Sequence, residues 1–288
     1  MTRLFLFLTF LLSITAHSQK IDKKLHRQVQ QTIAGFNGDI GIYIKNLRTG
    51  KIVAINADTV FPTASIVKIP ILLGVMKKVH NKELDLNQNI TYRDSLLYAG
   101  VDILGSFKDS QRIQLEKVVM LMLSMSDNTA SLWLQLLAGT GTRINEVMDS
   151  LGYKHTRVNS RTTGRQEIWK VYGWGQTTPF EIANIFERLY KKQFYSDSLS
   201  TVMMRLLSRN YWDENAIAQL PPTVQVFSKN GAVNQVRSEI LLVNAPKNPY
   251  LFCVMTKNNK DVRWTADNEA WVLARKLSKL VWDEYGVR

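Results

Sequence analysis

Apolar residues recur at helical spacing at Ile21, Leu25, Val29 and Ile33, which predicts an amphipathic helix over residues 21–36, ended by Gly38. The period then changes. Residues 39–46 and 51–56 read as two strands, and Arg48-Thr49-Gly50 between them forms a hairpin turn. Residues 67–79 are apolar nearly all round, as in a buried helix. Residues 115–137 carry Leu and Met at close helical spacing and predict a second deeply buried helix. Thr178-Pro179 opens another helix running to about residue 190, with Thr as the cap and Pro at the first position.

Strand signals return near the end, over residues 223–229, 236–244 and 251–256, with a turn at Pro246-Lys247-Asn248-Pro249 between the last two. Residues 266–285 form a closing amphipathic helix. Strands from both ends of the chain are therefore expected in one sheet, with the middle as a separate helical lobe. The expected division is a sheet lobe over about residues 21–64 and 219–288 and a helical lobe over about 65–218. The cleft between the lobes is the natural place for a site.

The start of the chain reads differently. Arg3 precedes an almost unbroken apolar run over residues 4–16, and Ala16-His17-Ser18 offers small residues at the positions a signal peptidase inspects. Residues 1–18 are expected to be a cleaved export signal and 19–288 the mature domain. The apolar run is too short to span a bilayer comfortably. An exported, periplasmic protein with no stable membrane insertion is expected.

Composition narrows the classes further. At 288 residues, 45% hydrophobic and 21% charged, the chain can build a core and is not of the disordered type. The net charge of +13 is spread along the chain, without the concentrated patch and aromatic readers of a nucleic-acid binder. The single cysteine, Cys253, lies in an apolar run and reads as a small buried residue. His17, His26, His80 and His155 are not paired at metal-ligand spacing, so neither metal nor cofactor is expected.

Three polar elements stand out. Ser65 and Lys68, in Phe61-Pro62-Thr63-Ala64-Ser65-Ile66-Val67-Lys68, sit where the first hairpin gives way to a helix. Three apart, they share a helix face. A lysine whose pKa is lowered by burial can take the proton of a serine, which is a poor nucleophile without a base. Ser126-Asp127-Asn128 interrupts the most apolar stretch, residues 118–125, and needs hydrogen-bond partners if buried. Lys229-Asn230-Gly231-Ala232 follows a strand; Gly231 permits close backbone approach and Lys229 adds a cation. Each element alone has a plain reading, as a helix cap, a kink or a strand end.

In this order and at these separations, the elements resemble the serine β-lactamase and penicillin-binding-protein superfamily, whose pattern is Ser-x-x-Lys, Ser-Asp-Asn and Lys-Thr-Gly. The resemblance is closest to the class A β-lactamases and covers essentially the whole mature chain. It implies an α/β fold, with an antiparallel sheet built from both chain ends, an all-helical lobe and an active site in the cleft between them. It implies that Ser65 is acylated by a β-lactam or amide carbonyl, that Lys68 accepts or relays its proton, and that Ser126 passes a proton to the leaving nitrogen, tuned by Lys229. It further implies that Asn128 holds the substrate amide, and that the backbone N–H groups of Ser65 and Ala232 form the oxyanion hole, worth about 3 kcal/mol per donor.

Two departures bear on function. Asn230 stands where the family has Thr or Ser contacting the substrate carboxylate; Arg237, downstream, either supplies the missing charge or is a surface arginine. The family's deacylating Glu motif is also missing. Counting back from Thr178-Pro179 puts its slot near Thr162, and Glu167 is the sole acidic residue over 152–178. Around it stand Lys154, Arg157, Arg161, Arg165 and Lys170. Either Glu167 reaches the site from a reshaped loop, or no carboxylate does and an acyl-enzyme persists. The expected function is a monomeric class A-type serine hydrolase acting on β-lactams or peptidoglycan-derived amides, as in antibiotic resistance. The alternatives are a peptidoglycan D,D-peptidase or transpeptidase with slow deacylation, and a penicillin-binding sensor without turnover.

Overall fold

The computed structural model describes residues 20–100 and 102–287. The proposed export signal therefore lies outside the described residues. In chain order the elements are α1 (Lys23–Ile33), β1 (Asp39–Asn46), β2 (Ile52–Ile55), β3 (Phe61–Pro62), a tight helical turn (Ala64–Val67) and α2 (Lys68–His80). There follow β4 (Asn89–Thr91), β5 (Arg112–Gln114), α3 (Leu115–Met120), a π-helical turn (Leu121–Met125), α4 (Asn128–Leu137) and α5 (Thr140–Ser150). Next come β6 (Arg157–Val158), α6 (Gln166–Tyr172), β7 (Gly175–Thr177), α7 (Pro179–Tyr190) and α8 (Asp197–Leu207). The chain closes with β8 (Val226–Val233), β9 (Val236–Val243), β10 (Tyr250–Lys257) and α9 (Glu269–Val281).

The two chain ends share one antiparallel sheet in the order β2-β1-β10-β9-β8, as the hydrophobic pattern predicts. Alternation along the strands sends side chains to two cores. Ile40, Ile42 and Ile44 of β1 pack with Leu25 of α1 and Leu273 and Leu277 of α9. Tyr43, between them, faces the helical lobe with residues of α2 and α7. At the centre of that lobe is α2, buried from Lys68 to Met76 on every side. Its Pro70 falls in the first turn, where the missing N–H has no intrahelical role. The predicted caps hold: the Thr178 hydroxyl accepts from Glu181 N, with Pro179 at the first helical position. Cys253 is fully buried in β10.

Two departures from the predicted elements bear on the site. The continuous helix over 115–137 is broken into α3, a π-helical turn and α4. The wider turn ends at Ser126, whose backbone is left-handed (φ 59°), and the Asp127 side chain caps α4 by accepting from Ala130 N. The strand expected to stop at Lys229 runs on to Val233, because its ladder with β9 continues to the Val233–Val236 pair. The third motif thus lies within β8, the free edge of the sheet, rather than at a strand end. Among the described residues, no helix is long and apolar enough to cross a membrane.

Candidate active site

Ser65 sits in the tight turn before α2, preceded by Ala64 in a left-handed conformation (φ 44°). Such strain in a residue with a Cβ persists only where its surroundings enforce it. Here β8 lies hard against the turn. A Cβ on Gly231 would sit 2.5 Å from the Thr63 carbonyl oxygen and 3.0 Å from Ser65 N. The glycine lets strand and turn approach closely enough to frame one site.

Lys68 is fully buried. Its Nζ lies 3.0 Å from Ser65 Oγ, 2.6 Å from the Ser126 carbonyl oxygen, 3.0 Å from Ser126 Oγ and 2.8 Å from Asn128 Oδ1. An ammonium has only three N–H donors for these oxygens. In the neutral amine, a hydroxyl can turn and donate to the lone pair instead. Burial pushes the Lys68 ammonium down to about 7, against the opposing pull of the Asp102 and Asp127 carboxylates. Lys229 is also fully buried and is held well below its ordinary value, first by burial and then by the Lys68 charge. Its Nζ is 3.1 Å from Ser126 Oγ, 2.9 Å from the Asn230 carbonyl oxygen and 3.2 Å from Asn230 Oδ1. The Ser126 hydroxyl thus bridges two amines whose charged forms are both disfavoured by burial, and each amine's charge opposes the other's. That arrangement can pass a proton from the Ser65 side to the Lys229 side.

Ser65, Ser126, Asn128, Asn230, Gly231, Ala232 and Arg237 all line one cavity of about 410 Å³. Arg237 is buried, not a surface residue. Its two terminal nitrogens donate to the carbonyls of Asn234, Val236, Val262 and Arg263, and its guanidinium lies 4.5 Å from the Trp264 ring centre and 4.9 Å from that of Trp271. Its charge enters the cavity, but most of its donors are spent on the main chain. Asn230 Oδ1 accepts from Lys229, which leaves the amide nitrogen for a substrate acceptor.

Glu167 is not brought to the site. It lies on α6 with its side chain 82% exposed, ion-paired with Lys170. Thr162, at the slot counted back from the α7 cap, turns its hydroxyl to the Val158 and Ser160 carbonyls. The loop between β6 and β7 is tied by its own cations: Arg165 donates to Asn159 and Gln176, and Arg157 pairs with Asp149. Glu167 therefore follows the outward face of α6.

Sequence reasoning assigned no role to several residues that shape the site. Asp102 lines the cavity and accepts from Thr129 N at 2.8 Å and Thr129 Oγ1 at 3.0 Å. Asp127 accepts from Ala130 N and Leu104 N. Trp212 Nε1 donates to the Met125 carbonyl and Tyr211 N to that of Ser124, so the 208–216 loop satisfies carbonyls that the π-helical turn leaves open beside Ser126. Glu239, also at the cavity, is the last of three polar residues, Arg237-Ser238-Glu239, near the start of the fully buried strand β9. A signal for it was present in the sequence, since a carboxylate in a strand buried on both faces demands an explanation.

Known proteins share this frame. The model of the β-lactamase enzyme family matches residues 24–285. The β-lactamase VEB-1 of Pseudomonas aeruginosa is 21% identical, covering 98% of this chain and 97% of its own. The structure of PBP-A superposes with a TM-score of 0.81 at 24% identity, over 92% of this chain and 97% of that one. A β-lactamase from Sphaerobacter thermophilus gives 0.81 at 23% identity, over 93% and 99%. A mutant of PBP-A with a TM-score of 0.82 to this chain, 24% identical over 92% of this chain and 97% of that one, is an acyl-enzyme complex with penicillin G.

Proposed function

We propose that this chain, which belongs to the β-lactamase enzyme family and is a β-lactamase-like serine hydrolase, is acylated at Ser65 by β-lactams and related amides and releases the acyl group slowly. The observation that carries the reading is the set of contacts around Lys68: a buried amine, titrating at about 7, within 3.0 Å of both Ser65 Oγ and Ser126 Oγ. In this scheme neutral Lys68 takes the Ser65 proton as Oγ attacks the carbonyl carbon. The tetrahedral oxyanion is held by the N–H groups of Ser65 and Ala232. The carbon–nitrogen bond then breaks, and the proton reaches the leaving nitrogen through Ser126, with Lys229 stabilising charge on the Ser126 oxygen. Asn128 holds the substrate amide. The carboxylate is met by the Asn230 amide nitrogen and the charges of Lys229 and Arg237.

Slow release rests on the position of Glu167. A base that activates water must be within hydrogen-bond reach of it, and this side chain is in solvent, paired with Lys170. The reading therefore combines class A-type acylation with the behaviour of a penicillin-binding peptidase. An export signal over residues 1–18 would deliver such a protein to the periplasm, where peptidoglycan-derived amides are at hand. Intact mass of the protein mixed with benzylpenicillin, followed alongside loss of the drug, tests it. A lasting adduct that disappears in Ser65→Ala is the expected result. Rapid drug loss without an adduct would overturn slow release, and neither adduct nor hydrolysis would overturn the acyl-enzyme itself.

A further inference from the structure

The cavity that contains Ser65 does not end at β8. It passes over this edge strand to the opposite face of the sheet, where Glu239 of β9 and Val254 of β10 line it together with Ala270 and Ala274 of α9. Strand register places Asn230, Glu239 and Val254 in one row across β8, β9 and β10, and Val254 belongs to the core packed on α9. The two alanines are four apart and so share a helix face. Their small side chains leave open the space that larger ones would fill, and Trp264 and Trp271 wall it.

Two buried side chains that line this chamber each hold an atom without a hydrogen-bond partner. Arg237 is 2% exposed and Glu239 5%. The terminal nitrogens of Arg237 are taken by main-chain carbonyls and Glu239 Oε2 by Ala216 N, yet Arg237 Nε and Glu239 Oε1 have no partner. Leaving a buried polar atom unpaired is costly, because its hydration is lost with nothing in exchange. Both side chains are thus fixed in place, each with one atom left to spend. Two apart on one strand, they point to the same face with Cα atoms about 7 Å apart. Nε is a donor, and Oε1 is an acceptor once Glu239 is ionised, which burial delays to about pH 7. A primary carboxamide complements both: its carbonyl accepts from Nε and its NH2 donates to Oε1.

The position of the chamber says which part of a substrate would reach it. In the acylation scheme above, on which this inference rests, the leaving nitrogen receives its proton at Ser126, next to Lys229 and Asn230. Asn230 begins the row that leads to Glu239. We propose that the chamber is a leaving-group subsite, which takes an amino-acid residue whose side chain ends in a primary carboxamide, such as asparagine.

The test uses two dipeptides, N-acyl-D-Ala-D-Asn and N-acyl-D-Ala-D-Leu, whose last side chains are nearly isosteric. Their binding to Ser65→Ala protein is measured by titration calorimetry, so that no chemistry intervenes. The asparagine peptide should bind at least about tenfold more tightly, because a site built to pair polar groups rejects the analogue that lacks them. Ala270→Leu in the same background fills the chamber and should erase the difference while the leucine peptide keeps its affinity. Equal affinities in Ser65→Ala would mean that solvent alone occupies the chamber, and would overturn the inference. So would a preference that survives Ala270→Leu in protein with an unchanged melting temperature. The benzylpenicillin adduct on unmodified protein reads the acylation scheme separately: an adduct without asparagine preference defeats the subsite alone, and a preference without an adduct defeats the scheme alone.

Discussion

The sharpest consequence of the Lys68 environment is a pH profile for acylation. Only the neutral amine can accept the Ser65 proton, and burial sets its titration at about 7. Half the molecules are then competent at pH 7, roughly a tenth at pH 6 and about one in a hundred at pH 5, since each pH unit below the pKa is a factor of ten. The second-order rate of adduct formation with benzylpenicillin should therefore rise close to tenfold per pH unit from 5 to 6.5 and flatten above about 8. Lys68 and Lys229 share the Ser126 hydroxyl, so the inflection belongs to the pair. Asp102 provides the perturbation. Its carboxylate favours the charged form of Lys68, so Asp102→Asn lowers the Lys68 pKa and moves the rising limb to lower pH. Stopped-flow mass spectrometry with a thermal melt at each pH separates chemistry from unfolding. A rate independent of pH between 5 and 8, or an Asp102→Asn limb displaced to higher pH, would refute the assignment of Lys68 as base.

Three further outcomes follow from particular contacts. Glu167→Gln should change the rates of acylation and drug hydrolysis by less than about twofold, because an exposed ion pair contributes little; a large fall in hydrolysis, read by absorbance, would mean the loop closes on substrate. Gly231→Ala should slow acylation by about 100-fold, the scale of losing one oxyanion donor, since its Cβ would meet the Thr63 carbonyl and Ser65 N, which are main-chain atoms that cannot swing aside; near-normal adduct formation would show the frame to be looser than drawn. Lys68→Met should change the pH dependence of stability. Between about 7 and 10 the unfolded chain carries the lysine proton and the folded chain does not, so unmodified protein gains about 1.4 kcal/mol per pH unit relative to the variant as pH rises. Urea denaturation at pH 7 and 9 measures this, and parallel curves would contradict a neutral buried Lys68.

The sequence was most informative where spacing alone fixes geometry. Ser65 and Lys68 meet because residues three apart on a helical turn must, and the β8 motif approaches them because Gly231 has no side chain to prevent it. The sheet from both chain ends was legible for a similar reason: short apolar runs over 39–46, 236–244 and 251–256, bounded by turn residues, are those of strands buried on both faces. Ser126 is marked by its polarity within an apolar run, and its hydroxyl lies beside Lys68 and Lys229, yet the device that aims it is hidden. A π-helical turn and a left-handed backbone are written in no residue type over Leu121–Met125; they depend on carbonyls that Tyr211 and Trp212 satisfy from far along the chain. The two residues whose roles stayed open failed in the same way. Glu167 was the acid nearest in sequence, but which face of α6 it occupies is set by how Arg157 and Arg165 tie the loop down. Arg237 could be read as surface or site until Trp264 and Trp271, distant in sequence, were seen to enclose it. The groups of the proposed acylation are therefore local features of short segments, whereas the proposed fate of the acyl group depends on a loop path that only long-range contacts decide. Sequence motifs of this kind therefore carry the proposed bond formation at Ser65 further than they carry its release.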